Sequence, residues 1–278
     1  MNRAWLTGVA RLVHPYPSLL NALVVGVLAS VAGAPASTSV RLAASMAALQ
    51  FSIGALNDLI DAPADAGRGG RKPIPAQVVA PSQARWVVVA GLVAGLLLAA
   101  PSGPVALGIG AGGATLGYLY NLRLKGTPFA WAPLAGAIPL IPLFAWTGAG
   151  AQLPISFLVL LPAGALAGAG LAIGNALGDL ERDLASGTPN VAARLGHSRA
   201  WWIHAGLHAG VILVASGGAL LLPGGDLRAA GVVAAAGLVV VVGVVAARGG
   251  GAVRDHAWEL EAAGTGLLGV VWLLAVGA

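Results

Sequence analysis

Six of the ten carboxylates in this 278-residue chain crowd into two short stretches. The first runs from Asn57 through Asp58 and Asp61 to Asp65, and the second from Asn175 through Asp179 and Glu181 to Asp183. On a helix, positions 58, 61 and 65 share a face, and so do 179 and 183. Glu181 lies about 200° around from Asp179 and should point elsewhere. Pro63 is expected to end or kink the first helix, which leaves Asp65 in a loop. Like charges at helix C-termini repel one another and oppose the helix dipole unless a cation sits among them. Oxygen donors, with no cysteine in the chain and no clustered histidine beside them, suit Mg2+ or Ca2+ rather than Zn2+. Asp58, Asp61, Asp65, Asp179 and Asp183 are therefore candidate metal ligands. The competing reading is a set of solvated helix ends.

Basic residues lie close by. Arg68 and the run Arg71-Lys72-Pro73-Ile74-Pro75 follow the first stretch, and Tyr118, Arg123 and Lys125 lie between the two in sequence. Carboxylates for a metal beside bases for phosphate oxygens make the composition of a diphosphate site. Mg2+ is commonly held by a few carboxylates together with substrate phosphates. For each base alone, a topology determinant or a lipid-headgroup contact is the alternative. The two stretches are also in register: Asn57 and Asn175, Asp61 and Asp179, and Asp65 and Asp183 are each 118 residues apart. This points to a parallel internal repeat within one domain, residues 1–278, with halves of about 1–125 and 126–278.

The elements that must position these residues are membrane spans. Charged residues make up 9% of the chain and hydrophobic residues 58%, whereas a soluble domain is about 25% charged. A soluble enzyme and a disordered chain are excluded, and the absence of cysteine excludes a disulfide-stapled secreted domain. Crossing the hydrocarbon takes about 20 mostly apolar residues. Nine segments qualify, at roughly 18–34, 39–56, 86–100, 104–120, 129–147, 153–174, 200–222, 229–247 and 257–277. The expected fold is all-α: a polytopic helix bundle of nine transmembrane helices with cytoplasmic cap loops. With the N-terminus inside, every Lys and Arg except Arg41 and Arg228 falls on the cytoplasmic side, as does every carboxylate except Asp226. Both acidic stretches then face the cytoplasm of what is expected to be a prokaryotic membrane. The net charge of +5 speaks of topology and anionic lipid, and no basic run with interleaved aromatics suggests a nucleic-acid partner. The start of the chain, through Val31 to Ala36, also resembles a cleavable signal peptide. Cleavage would discard His14-Pro15-Tyr16-Pro17, which reads as the lead-in to a first helix.

Ser18 and Asn21, at i and i+3 on the first span, are candidates to face substrate, with interhelical hydrogen bonds as the alternative. Tyr118 either orients substrate or sits in an interfacial belt. His204 and His208 stand at i and i+4 in the seventh span with no carboxylate near in sequence, and read as packing. Arg254-Asp255-His256 reads as a solvated loop.

In order and spacing these motifs resemble the UbiA superfamily of intramembrane aromatic prenyltransferases, over nearly the whole chain. The family signature is NDxxDxxxD, a basic-Pro-Ile/Leu-Pro turn, YxxxxxxK, DxxxD and a basic-Leu-Gly end. Here it reads Asn57 to Asp65, Lys72 to Pro75, Tyr118 to Lys125, Asp179 to Asp183, and Arg194-Leu195-Gly196. The resemblance implies that Asn57, Asp58, Asp61, Asp65, Asp179 and Asp183 hold Mg2+ and, through it, an isoprenyl diphosphate. Lys72, Lys125 and Arg68 would take the remaining phosphate charge, and Asp61, Asp179, Lys125 and Tyr118 are the expected catalytic group. Asn175 matches the Asn that opens the second motif in the naphthoate-prenylating branch. Two departures stand out. Ala176 replaces a frequent Asp, and Thr188-Pro189-Asn190 replaces a stretch that often carries a Lys, so one phosphate contact is expected to be missing.

The chemistry fits the layout. Breaking an allylic C–O bond leaves diphosphate and an allylic cation. Metal and Lys or Arg stabilise the first, and an apolar bundle keeps water from the second. Gly- and Ala-rich stretches such as 163–174 are expected to leave room for the prenyl tail. The expected activity is Mg-dependent prenyl transfer to an aromatic or lipid acceptor of unknown identity. A cyclase or diphosphate hydrolase would use the same metal site. A transporter would need carboxylates deep within its spans, whereas these lie at span ends.

Overall fold

The computed structural model describes residues 3–66, 72–187, 190–250 and 252–277. Among these, regular structure is helical throughout, with no strand. In chain order the α-helices are α1 Arg3–Leu12, α2 Pro15–Val31, α3 Ala36–Asp61, α4 Pro81–Ala99, α5 Pro104–Leu119, α6 Ala132–Gly148 and α7 Phe157–Gly178. They continue with α8 Leu180–Ser186, α9 Val191–Leu195, α10 His197–Leu221, α11 Leu227–Ala246, α12 Ala252–Asp255 and α13 Ala257–Ala275. Proline opens α2, α4 and α5, a place where its missing N–H is not needed. Asp226 caps α11 by accepting from the Ala229 N–H at 2.7 Å.

Each of the nine apolar segments coincides with a helix: α2 to α7, α10, α11 and α13. Among the described residues six helices are both long and apolar enough to cross a membrane, with a seventh if α1 and α2, bent by 60° at their junction, count as one span. The 16 residues of α5 and the 17 of α6 lie at the short end of the length a full crossing needs, and a π-helical turn, Tyr120–Leu124, carries α5 further. Apolar runs in the sequence continue past the ends of these helices into turns, so nine crossings are not established, nor is the repeat.

The chain forms two compact units, residues 1–123 with 143–151, and residues 124–142 with 152–278. In the first unit α3 is the central element, and α1, α2, α4 and α5 all pack on it. Its contact with α4 is close because Gly91 and Gly95 carry no side chain. A Cβ on Gly91 would stand 2.8 Å from the Ala48 carbonyl oxygen. Ser45 crosses the same seam, its hydroxyl donating to the Gly95 carbonyl at 2.7 Å. The break between α1 and α2 is made by His14, whose φ of 48° lies in the left-handed region. The Val13 carbonyl freed there accepts from the Ser18 hydroxyl at 2.9 Å.

In the second unit α7 packs against α10 and α13, and α11 packs against the same two helices. The small residues of α7 do not leave a void where its glycines lie. A Cβ on Gly168 would be 2.2 Å from the Leu134 carbonyl oxygen of α6. Side chains of α10 and α13 fill the space beside Gly170 and Gly174. The stretch 163–174 therefore serves helix packing at these glycines rather than room for a tail.

Candidate active site

In the first unit α3 ends at Asp61, and the Asp65 N–H donates to the Asp61 carbonyl at 2.9 Å in the following turn. Pro63 thus ends the helix as expected, but Asp65 does not hang in solvent. Asp58 and Asp65 are only 3% and 2% exposed. Lys72 explains how two carboxylates can be buried together. Its Nζ stands 2.6 Å from Asp58 Oδ1 and 3.8 Å from Asp65 Oδ2. His14 Nε2 approaches the same Asp58 oxygen at 2.9 Å. Asp61 is half-buried at the helix end.

Asn57 donates to Asn121 Oδ1 at 3.0 Å, and Asn121 donates to the Ile53 carbonyl at 3.1 Å. Asn121 belongs to a π-helical turn, Tyr120–Leu124, which extends α5. Such turns recur at functional sites because they re-aim side chains. The structure therefore joins Asn57, Asp58, Asp65 and Lys72, and adds His14 and Asn121, which sequence reasoning missed. The only signals were the His-Pro pair before α2 and a lone amide inside the Tyr118–Lys125 motif.

Tyr118 faces α3. Its hydroxyl lies 2.6 Å from Ser52 Oγ, whose own proton goes to the Val88 carbonyl, so Tyr118 is the donor. Ser18 is buried with its hydroxyl on Val13, the hydrogen-bonding alternative, and Asn21 is half-buried on α2. Arg123 is exposed and Lys125 half-buried. Arg68 lies outside the described residues.

In the second unit Asp179 sits at the break between α7 and α8, where Arg182 pairs with it. The Asp183 N–H donates to the Asp179 carbonyl at 2.9 Å. Asn190 then organises the return of the chain. Its Nδ2 donates to Asp183 Oδ2 at 2.6 Å and to the Ala176 carbonyl at 3.2 Å, while its Oδ1 accepts from the Ala193 N–H at 2.6 Å and caps α9. The residue expected to mark a lost phosphate contact is thus a clamp on the second acidic stretch. Asn175 is exposed. Arg194, in the basic-Leu-Gly end, donates to the Gly126 carbonyl at 3.2 Å.

Glu181 points away from Asp179 as expected and pairs with Arg254. The Arg254 guanidinium holds its carboxyl below the ordinary value. Arg254 is 7% exposed rather than solvated, because this pair and its packing bury it.

Asn57, Asp61 and Asp65 in the first unit offer oxygen donors of the kind Mg2+ takes, and so do Asp179 and Asp183 in the second. Asp58 Oδ1 serves Lys72 and His14, as Asp179 serves Arg182 and Asp183 serves Asn190.

Comparison with known proteins agrees with this chemistry. The profile of the UbiA prenyltransferase family matches residues 18–276. The chain is 36% identical over 118 residues to a digeranylgeranylglyceryl phosphate synthase of Methanopyrus kandleri, a match spanning 42% of this chain and 44% of that relative's length. A UbiA homologue of Archaeoglobus fulgidus bound to Cd2+ shares the fold with a TM-score of 0.73 at 18% identity, covering 98% of this chain and 100% of that one. The structure of a UbiA homologue from the same organism bound to GPP and Mg2+ gives a TM-score of 0.71 at 18% identity with the same coverage. A structure concerned with digeranylgeranylglyceryl phosphate synthase in membranes gives 0.70 at 16% identity, covering 99% of each chain. The chain belongs to the UbiA prenyltransferase family.

Proposed function

We propose that this prenyltransferase moves a prenyl group from an isoprenyl diphosphate to the hydroxyl of a lipid alcohol of the glyceryl phosphate type. The observation that carries the reading is Lys72 held between the buried carboxylates Asp58 and Asp65 at the end of α3. The two carboxylates fix the position of this ammonium, and its partial exposure leaves it able to donate to a phosphate oxygen as well. In the first unit Asn57, Asp61 and Asp65 would supply oxygen donors for a Mg2+ ion, and in the second Asp179 and Asp183 would do the same. Bound there, the ion would neutralise charge developing on the departing diphosphate. Lys72 and Lys125, with Arg123 and Arg68, would contact the remaining phosphate oxygens. Asn190 fixes the Asp183 carboxylate, and His14 shares the load on Asp58, so both stretches keep their shape without substrate. Apolar helices exclude water from the allylic cation until the acceptor oxygen attacks C1. The lipid acceptor is supported by the relative named as a digeranylgeranylglyceryl phosphate synthase. The diphosphate donor is supported by the family neighbours solved with GPP or DMAPP and Mg2+. If all nine apolar helices cross, the distribution of basic residues puts both stretches on the cytoplasmic side.

The test incubates purified protein with geranylgeranyl diphosphate and Mg2+, with a prenylated glyceryl phosphate, an aromatic acid, or no acceptor. Diphosphate release that requires the glyceryl lipid is the expected result, abolished by chelation of Mg2+ and by Asp61→Ala or Asp179→Ala at normal expression. Release with the aromatic acid alone reassigns the acceptor, and release with none indicates cyclisation or hydrolysis. Full activity of either variant removes the metal assignment.

A further inference from the structure

We propose that the second unit contains a transition-metal site distinct in composition from the acidic stretches, with His204, His208 and Glu261 as ligands of a divalent ion of the zinc class. His204 and His208 lie one turn apart on α10, the spacing that sets two imidazoles on one helix face. Their rings meet edge to face, with centroids 4.7 Å apart at 84°. Glu261 of α13 faces both. Its Oε1 is 3.1 Å from His204 Nε2 and its Oε2 is 3.8 Å from His208 Nε2. One ligand atom from each residue falls within 4.8 Å of the others. The three side chains are 0%, 1% and 0% exposed.

The hydrogen-bonding chemistry points to a missing cation. His204 Nδ1 is 2.9 Å from the Gly170 carbonyl, which can only accept, so the ring hydrogen sits on Nδ1. Nε2 then turns its lone pair toward a carboxylate oxygen, also an acceptor. Two acceptors at 3.1 Å need a positive centre between them, either a second ring proton or a metal ion. A proton would satisfy His204 and Oε1 alone. His208 Nδ1, His208 Nε2 and Glu261 Oε2 are buried and find no hydrogen-bond partner among the described residues. A metal ion engages Oε2 and one nitrogen of His208 as well, and so accounts for more of the cluster. The backbone carbonyl on the far nitrogen of a ligating histidine is also the usual outer partner that fixes its tautomer.

Size and ligand type agree. Tetrahedral ligands about 2.0–2.1 Å from zinc stand about 3.3 Å from one another, so the three ligand atoms, which lie within 4.8 Å, would draw together around the ion. Two imidazoles and one carboxylate form a set that zinc favours, with a fourth position left for an external ligand. The neighbouring helices are shaped around the cluster. A Cβ on Gly170 would be 2.8 Å from His208 Nε2, one on Gly174 2.5 Å from Glu261 Oε2, and one on Gly243 of α11 2.6 Å from Glu261 Cγ. Occupied, the site cross-links α10 to α13.

The test uses the full chain in detergent, purified through a histidine-free tag, stripped with chelator and titrated with Co2+. It carries Asp61→Asn and Asp179→Asn, which weaken the acidic stretches as competing sites, and the variants at His208 and Glu261 are read against that background, so the result is independent of the prenyl-transfer reading. The expected result is uptake of one equivalent with the visible absorption of four-coordinate Co2+, displaced by Zn2+. Added to this background, His208→Ala and Glu261→Gln should lose the uptake with helicity retained. His208→Cys should keep it and add a thiolate-to-cobalt charge-transfer band, which decides the matter even if the alanine variant fails to fold. No stoichiometric uptake by the folded protein, unchanged uptake in a folded His208→Ala protein, or uptake by His208→Cys without the new band overturns the proposal. Each assigns the cluster to a protonated His204–Glu261 pair.

Discussion

Replacing Lys72 by methionine keeps most of the stem and deletes the charge. Its Nζ lies 2.6 Å from Asp58 and 3.8 Å from Asp65, both almost wholly buried. Two unit charges about 4 Å apart attract by about 4 kcal/mol at the effective dielectric near a protein surface. Breaking a buried pair costs about 3–5 kcal/mol because the remaining charge is left without a partner. Lys72 is itself 27% exposed, and His14 stays on Asp58 at 2.9 Å, so the low end applies, about 3 kcal/mol. In a chain of this size that lowers the Tm by about 6–12 °C, at about 2–4 °C per kcal/mol. Turnover should fall by about 10²–10³, the usual consequence of losing one preorganised donor to developing charge. The assays are thermal unfolding in detergent and diphosphate release. Adding Asp58→Asn to Lys72→Met removes one of the two buried negative charges and should restore part of the Tm but none of the activity. An unchanged Tm in the single variant, or a double variant no more stable than the single, refutes the idea that Lys72 holds the buried carboxylates together.

Asn190→Asp should separate the clamp from the cap. The new carboxylate still accepts from the Ala193 N–H, so the cap on α9 is kept. Both donors are lost and a like charge stands beside Asp183, so activity falls and its Mg2+ requirement shifts. Asn190→Ala loses the cap as well, for about 1 kcal/mol in the same melt. Gly168→Ala drives a Cβ to 2.2 Å from the Leu134 carbonyl oxygen and should destabilise by at least about 1–3 kcal/mol. Gly206→Ala meets open space within α10 and should stabilise by about 0.5–1 kcal/mol. Parallel melts of the two variants check the packing of α6 on α7.

What could be read from sequence was local. Pro63 ends α3, the turns of α3 and α8 sort their carboxylates by face, and apolar runs mark the nine main helices, because each depends on neighbours within a few residues. The features that were missed depend on distant partners. His204 and His208 read as packing because Glu261 is far along the chain, and nothing local marks it as buried. His14 reaches Asp58 only because α1 and α2 bend by 60°. Asn190 read as a loss because its hydrogen bonds run to Asp183, Ala176 and Ala193. Span count is not settled at α5 and α6 because hydropathy does not say where a helix stops.

His14 combines two demands. Its backbone needs a conformation that glycine takes freely and that asparagine, aspartate and histidine tolerate better than other side chains. Its ring must also present a nitrogen to Asp58. Glycine would relax the bend and surrender the contact, while lysine or arginine would keep a cation and distort the corner. An imidazole reconciles the two, so the first corner of the chain and the electrostatic balance at the end of α3 must change together.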